Sequence, residues 1–209
     1  MRAVAGIVLA AGSGSRFGGP KALVDFHGEL LVERACRLLT EGGCDPLLVV
    51  LGAQAEDVRA SAVLPPLTVL NPDWDSGIGS SVRAGLAAVP AGIDAAVVAL
   101  ADEPLVGAEA VRRLVGVYAG GLPPGVHAVA ATYGCQQRNP VLLTRPVFAA
   151  VSAAATGDRG ARVWLRSHPE QVIGVPCDDT GDALDVDTPD DLAQALARIA
   201  GDHADPARD

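Results

Sequence analysis

The sequence predicts an α/β fold, a single-domain Rossmann-like three-layer sandwich with a mostly parallel central sheet, and three observations carry that expectation. Its longest apolar runs, such as Leu47–Leu51 and Ala95–Leu100, are continuous rather than alternating, as strands covered on both faces are. Stretches of helical period lie between those runs. With 209 residues, 49% of them apolar, the chain fits one domain with ample material for a large core, and a second independent domain is not expected.

Taken in order, the apolar run Ala5–Leu9 forms the first strand and feeds the glycine-rich segment Gly12 to Gly19. Leu30–Leu39 carries apolar residues at helical spacing and stops at Gly42-Gly43. Leu47–Leu51 is the second strand, a short helix spans Glu56 to Ala62, and Thr68–Leu70 is the third strand beyond Pro65-Pro66. A helix to about Ala88 follows the small and hydroxyl residues Ser76-Gly77-Ile78-Gly79-Ser80-Ser81. Then come the strand Ala95–Leu100, a helix over Glu109–Tyr118, the strand Ala128–Thr132 and a further strand over Arg138–Leu143. Two helices are expected at Pro146–Ala154 and Gly160–Ser167, a short strand at Leu184–Asp187, and an amphipathic helix ending near Ile199. The domain therefore spans residues 1–200. Residues 201–209 lack an apolar face and read as a disordered tail.

Four glycines in the eight residues from Gly12 to Gly19, with Arg16 and Lys21 alongside, suit an anion, because glycine lets backbone N–H groups turn inward without a steric penalty. Neither familiar phosphate motif fits. The G-x-G-x-x-G pattern meets Phe17 at its third glycine, and G-x-x-x-x-G-K-[ST] finds Pro20 where lysine belongs and Ala22 after Lys21. Ser80 and Ser81 stand at a helix start, where they cap the first turn and also face a bound anion. Asp102 follows a buried strand, the place where ligands of open α/β sheets bind, although aspartate is also a common turn former. Asp185 and Asp187 alternate along an extended stretch and point the same way. Thr188, Pro189 and the acids Asp190 and Asp191 make a well-formed helix start, which explains those two acids without invoking a site.

Whole-chain chemistry narrows the partners. Twenty-five acidic against sixteen basic residues, a net charge of −9, oppose nucleic acid polymers and anionic membranes and favour a small-molecule substrate. No apolar run is long enough to span a bilayer, and the sequence starts with no apolar signal segment, so a cytoplasmic location is expected. The four cysteines form no C-x-x-C pair and the four histidines no helical metal spacing. Free thiols are expected, and any metal should be Mg²⁺ held by carboxylates.

The stretch Leu9-Ala10-Ala11-Gly12-x-Gly14-x-Arg16-x-Gly18-x-Pro20-Lys21 resembles the signature of nucleotidyltransferases that act on the molybdenum cofactor, and within them the cytidylyltransferase branch. The likeness extends in family order through Asn71-Pro72-Asp73-Trp74, Gly77-x-Gly79-Ser80-Ser81-x-Arg83, Ala101-Asp102-x-Pro104, Asn139-Pro140-Val141-Leu142, Gly157-Asp158-x-Gly160-Ala161-Arg162 and Asp185-Val186-Asp187-Thr188-Pro189. That resemblance implies a nucleotide-diphospho-sugar-transferase-like fold and transfer of CMP from CTP to the terminal phosphate of molybdopterin, with release of pyrophosphate. It implies nucleotide contacts from Leu9, Ala10, Ala11, Gly12, Gly14, Ser15, Arg16, Lys21, Gly79, Ser80, Ser81 and Asp102, with Arg16, Lys21 and Asp102 closest to the chemistry. Mg²⁺ would lie on Asp102 and Asp187, Asp185 being the alternative, and a downstream molybdoenzyme or its chaperone would receive the product. Asn139, Pro140, Arg159 and Arg162 would serve the acceptor, plain solvation being the alternative for the arginines. Glu103 is left without a role. Arg138-Asn139-Pro140 stands where many relatives have Gly-His-Pro, which leaves the acceptor open. Three rival readings remain: a guanylyltransferase or other NTP transferase on a different phosphorylated acceptor, an NAD(P)H-dependent oxidoreductase of the nicotine-pigment type, and a non-catalytic cofactor chaperone.

Overall fold

The structure is a computed structural model that describes residues 3–202; residues 203–209, most of the expected tail, lie outside the described residues. Its centre is a seven-stranded sheet, built from β1 (Val4–Ala10), β4 (Leu47–Leu51), β5 (Leu67–Leu70), β6 (Ala95–Leu100), β7 (Ala128–Tyr133), β8 (Gln136–Thr144) and β9 (Val172–Pro176) in the spatial order β5-β4-β1-β6-β8-β7-β9. Every strand except β8 runs the same way. The helices are α1 (Leu31–Glu41), α2 (Ala55–Ser61), α3 (Ile78–Ala88), α4 (Ala108–Ala119), α5 (Phe148–Ala154), α6 (Arg162–Ser167) and α7 (Pro189–Asp202).

Alternation along each strand feeds two cores, which is why the strands need to be apolar throughout. Val4, Val8 and Ala10 of β1, with Val97 and Ala99 of β6, pack under α1 and α4. Ala5, Ile7 and Leu9, with Ala96 and Val98, pack on the opposite face against α3, α5 and α6. The result is the expected three-layer sandwich. Gly85 of α3 meets Ile7 so closely that an added Cβ would stand 2.7 Å from its side chain, so the helix lies directly on β1.

Several elements differ from the sequence reading. A two-strand hairpin, β2 (Asp25–Phe26) and β3 (Glu29–Leu30), turns at His27 and Gly28, both at positive φ. β9, absent from the expected set, pairs with β7 at the edge of the sheet. Pro146 sits in a 3-10 turn, so α5 starts at Phe148, and Gly160, at φ +50°, lies outside α6, which starts at Arg162. No strand forms at Leu184–Asp187: the Val186 N–H donates to the Asp102 carbonyl at 2.8 Å, so the segment pairs with a loop and not with the sheet. The last helix continues to Asp202, past the expected end near Ile199. Phe26, Leu31, Val186 and Ala195 form a third, smaller core that ties the hairpin and α7 together, with Phe17 of the glycine-rich loop packed against it.

Candidate active site

Sheet order decides where the site lies. From β1 the chain steps outward through β4 to β5, then returns to place β6 on the other side of β1. The carboxyl ends of β1 and β6 therefore flank the point where the order reverses, where α/β sheets open a crevice. Those two ends carry Ala11-Gly12 and Ala101-Asp102. A cavity of about 310 Å³ opens there, walled by Leu9, Ala10, Ala11, Gly12, Ser13, Lys21, Ser81 and Asp102, and by Trp74, Asp75, Ile78 and Asp158.

The loop after β1 folds back on itself. Gly14 has φ +59°, and a Cβ there would stand 1.9 Å from the Gly19 carbonyl oxygen, so only glycine fits. Its carbonyl accepts the N–H groups of Phe17 (2.8 Å), Gly18 (2.9 Å) and Gly19 (3.4 Å). This corrects the expectation that the whole Gly12–Gly19 backbone faces a phosphate, because these three donors close the loop instead. Among the described residues, the N–H groups of Gly12, Ser13, Ser15 and Arg16 donate to no protein acceptor. Of the loop's expected contacts only Gly12 lines the cavity; Gly14, Ser15 and Arg16 do not.

Lys21 opens a single 3-10 turn, Lys21–Leu23, and its side chain is only 16% exposed. Its ammonium is bonded to Asp102 Oδ2 and to Asp187 Oδ1, the latter at 2.8 Å. Burial pulls its pKa down, yet the two carboxylates outweigh burial and leave it above the ordinary lysine value. The hydrogen bond from Lys21 in turn holds Asp187 below the ordinary carboxylate range, and Arg16 approaches the same carboxylate at 3.2 Å from the solvent side. Burial, followed by the charges of Asp102 and Asp187, pushes Asp185 up. Glu103, assigned no role from sequence, is buried, accepts from Asn139 Nδ2 at 3.4 Å, and is pushed up to about 8 by burial and then by Asp185 and Asp102. Two carboxylates thus share one ammonium, and the charge of Asp102 reaches two further acids, Asp185 and Glu103.

That excess of hard oxygen donors fits a divalent cation such as Mg²⁺. Asp102 and Asp187 meet on a common atom of Lys21, whereas among the described residues no three His, Cys, Asp or Glu side chains gather into a metal cage. Two carboxylates completed by water and substrate phosphate are the usual setting for Mg²⁺.

The start of α3 forms the opposite wall. Asn71, buried, donates from Nδ2 to Ser80 Oγ (2.8 Å) and Ser81 Oγ (3.0 Å), fixing the helix start to the end of β5. Ser80 Oγ also donates to the Gly77 carbonyl at 2.8 Å. A Cβ on Gly79 would press on Ala155 and Thr156. Ser81 faces the cavity, while Gly79 is spent on packing and Ser80 on its bonds to Asn71 and the Gly77 carbonyl; the helix starts at Ile78 with Gly77 as its N-cap, so neither serine caps the first turn as the sequence reading expected.

A second cavity, of about 450 Å³, shares Leu9, Ile78, Leu100 and Asp158 with the first. Asn139, Arg159 and Arg162 line it, joined by Arg138 and Arg166. Pro140 does not; it lines a small pocket beside Arg34 and Glu103 on the α1 side. Sequence reasoning also passed over Trp74, Asp158 and Arg166. Arg166 stands four residues after Arg162, a helical spacing that the sequence does display.

Residues 6–172 match the family model of the MobA-like NTP transferase domain. The chain is similar to a nicotine blue oxidoreductase of Paenarthrobacter nicotinovorans, 38% identical over 201 residues, which cover 92% of this chain and 96% of that protein. It is also similar to a molybdenum cofactor guanylyltransferase of Rhodobacter capsulatus, 31% identical with coverage of 94% and 96%. The crystal structure of Rv0371c from Mycobacterium tuberculosis H37Rv in complex with manganese superposes with a TM-score of 0.77 at 29% identity, covering 93% of this chain and 98% of that one.

Proposed function

The chain belongs to the MobA-like NTP transferase domain family, and on that premise we propose that it transfers CMP from CTP to the terminal phosphate of molybdopterin carrying molybdenum, releasing pyrophosphate. The observation that carries the proposal is the meeting of Lys21, Asp102 and Asp187 in the crevice between β1 and β6, next to a second, arginine-lined cavity. Attack of an acceptor phosphate on the α-phosphate of a bound nucleotide needs no protein nucleophile; it needs alignment and charge neutralisation. The first cavity takes the nucleotide, with Ala11, Gly12 and Ser81 along its walls, and the free N–H groups before Phe17 stand at the loop that follows. The second takes the acceptor, and the shared wall brings the reacting phosphates together. Mg²⁺ on Asp102 and Asp187, the bonds to Lys21 exchanged for bonds to phosphate, would supply the charge neutralisation that the triphosphate and the pyrophosphate leaving group require. Manganese in the mycobacterial relative supports a divalent ion.

Choice of base rests on Ala11, which lines the first cavity, and on Pro20 before the lysine. In the guanylyltransferase branch of the family that the sequence resembles, glycine and aspartate stand at these places. A methyl group beside the base is tolerated by a pyrimidine better than by a purine, a difference of about 1–3 kcal/mol, or about ten- to two-hundred-fold. The test is pyrophosphate release with CTP and GTP competing in one reaction containing molybdopterin and Mg²⁺. CTP should win, and Ala11→Gly with Pro20→Asp should narrow or reverse the preference. A parent protein that prefers GTP refutes the cytidylyl reading and leaves nucleotidyl transfer intact.

The likeness to an oxidoreductase favours a second reading, NAD(P)H-dependent reduction of a pigment. Phe17 at the third position of the dinucleotide fingerprint counts against it. Oxidation of NAD(P)H without pyrophosphate release would establish it in place of the first.

A further inference from the structure

Nine of the thirteen arginines among the described residues are engaged. Arg16, Arg34, Arg37, Arg59, Arg112, Arg113 and Arg198 pair with carboxylates. Arg83 donates to the Ala155 carbonyl, and Arg145 to the carbonyls of Val89, Pro90 and Ile93. Among the described residues four remain, Arg138, Arg159, Arg162 and Arg166, and all four line the second cavity. Arg138 makes no ion pair: it donates to the Gln136 side-chain amide oxygen at 3.3 Å, and its charge reaches Glu103 and Asp185 without a direct contact. In a chain with 25 acids to 16 basic residues, exposed arginines readily find carboxylates. Four that make no ion pair, on a single cavity, mark charge reserved for a ligand. Asp158 is the one carboxylate in that lining, at the wall shared with the first cavity.

The four do not gather at a point. Arg138 comes from β8, whereas Arg162 and Arg166 belong to α6 and lie about 6 Å apart along its axis at the helical rise. Arg159 precedes that helix in its own turn. One phosphate can engage one or two such guanidinium groups and leaves the others unmatched. Between them the floor is apolar, made of Val82, Val98, Val141 and Leu165.

We infer that the acceptor is a phosphate monoester carrying a second, separate anionic group on an apolar or aromatic body, the second anion being held by Arg162 and Arg166. The inference deepens the reading above and rests on it for naming the cavity's occupant as acceptor. It excludes acceptors whose only charge is the reacting phosphate.

Isothermal titration of the full chain with phenyl phosphate and with 4-carboxyphenyl phosphate tests it, since the two probes differ only in the second anion. The carboxylated probe should bind about tenfold tighter or more, the worth of one charge-assisted hydrogen bond. Replacing both arginines, Arg162→Gln with Arg166→Gln, should erase that preference while CTP affinity measured with Mn²⁺ is unchanged. Equal binding of the two probes by the parent protein overturns the inference, as does a preference that survives in the double variant. Failure of CTP to bind the parent protein sinks the nucleotidyl reading instead, a result separate from the comparison of the two probes.

Discussion

Replacing Lys21 by Met keeps the aliphatic stem and removes only the ammonium, so it isolates what that charge does. Its side chain is 16% exposed, and its partners Asp102 and Asp187 are 22% and 41% exposed. Burial between two carboxylates gives the ammonium a part in stability as well as in the chemistry. Breaking one side of a fully buried pair costs about 3–5 kcal/mol, and exposed pairs contribute about 0–1 kcal/mol. A triad of intermediate exposure falls between, near 2 kcal/mol at neutral pH, or a fall in Tm of about 4–8 °C for a chain of this length. The sign with pH follows from Asp187, whose folded-state pKa is depressed by Lys21. Its stabilising contribution is present above the ordinary carboxylate value and is lost as pH falls through the depressed one. In the variant that contribution is already missing, so the gap in Tm between parent and variant should close on acidification below about pH 4. Turnover should fall further, by about 10²–10³, because the same cation neutralises the triphosphate. Calorimetry from pH 3 to 8 and pyrophosphate release together check this. A variant that melts with the parent at every pH, or that is folded and releases pyrophosphate at the parent rate, refutes the assignment.

Asp102→Asn and Asp187→Asn should each raise the Mn²⁺ concentration needed for half-maximal activity and weaken Mn²⁺ binding measured by electron paramagnetic resonance; a response to Asp185→Asn and none to Asp187→Asn would move the second ligand to Asp185. Glu103, with its pKa raised to about 8, binds a proton in the folded state that the unfolded chain releases near pH 4.5, so its contribution to stability falls as pH rises from about 4.5 to 8. Glu103→Gln should flatten the Tm profile across that window, and an unchanged slope would show that the acid is not held neutral. Gly14→Ala places a Cβ against the Gly19 carbonyl at positive φ; it should cost about 1–3 kcal/mol and weaken CTP binding at least tenfold, whereas full CTP affinity would mean that the loop's closed form is not the one that binds.

How much of the fold was legible depended on whether local pattern and hydrogen-bond partner agreed. The strands β1, β4 and β6 were readable because burial on both faces writes itself as an unbroken apolar run. β9 was not: Gly174 and Pro176 interrupt its five residues, and its pairing with β7 at the sheet edge is set by tertiary contact. Leu184–Asp187 misled in the opposite way. Its alternation is real, since Val186 is fully buried while Asp187 reaches Lys21, but the partner of its backbone is the loop at Asp102. Side-chain period fixes facing; it does not fix what the N–H groups bond to.

The same distinction runs through the site. Of the three that meet, Asp102 was legible from the buried strand it follows, whereas Lys21, in a 3-10 turn, and Asp187, in a segment outside the sheet, were marked by the family resemblance and not by a strand end. Which amides of the glycine-rich loop stay free was not legible, since three of them are used on Gly14 itself. Net charge was the coarsest guide of all. A value of −9 opposes a long anionic polymer, which meets the field of the whole molecule, but a small anion answers to charges within about 10 Å. The lining of the second cavity carries four guanidinium groups and one carboxylate, Asp158. An acidic protein can therefore present a cationic site without contradiction, provided its other arginines are neutralised in place. Here seven pair with carboxylates and two with backbone carbonyls among the described residues, and what the sequence shows as scattered basic residues becomes, once pairing is known, one concentrated recognition surface.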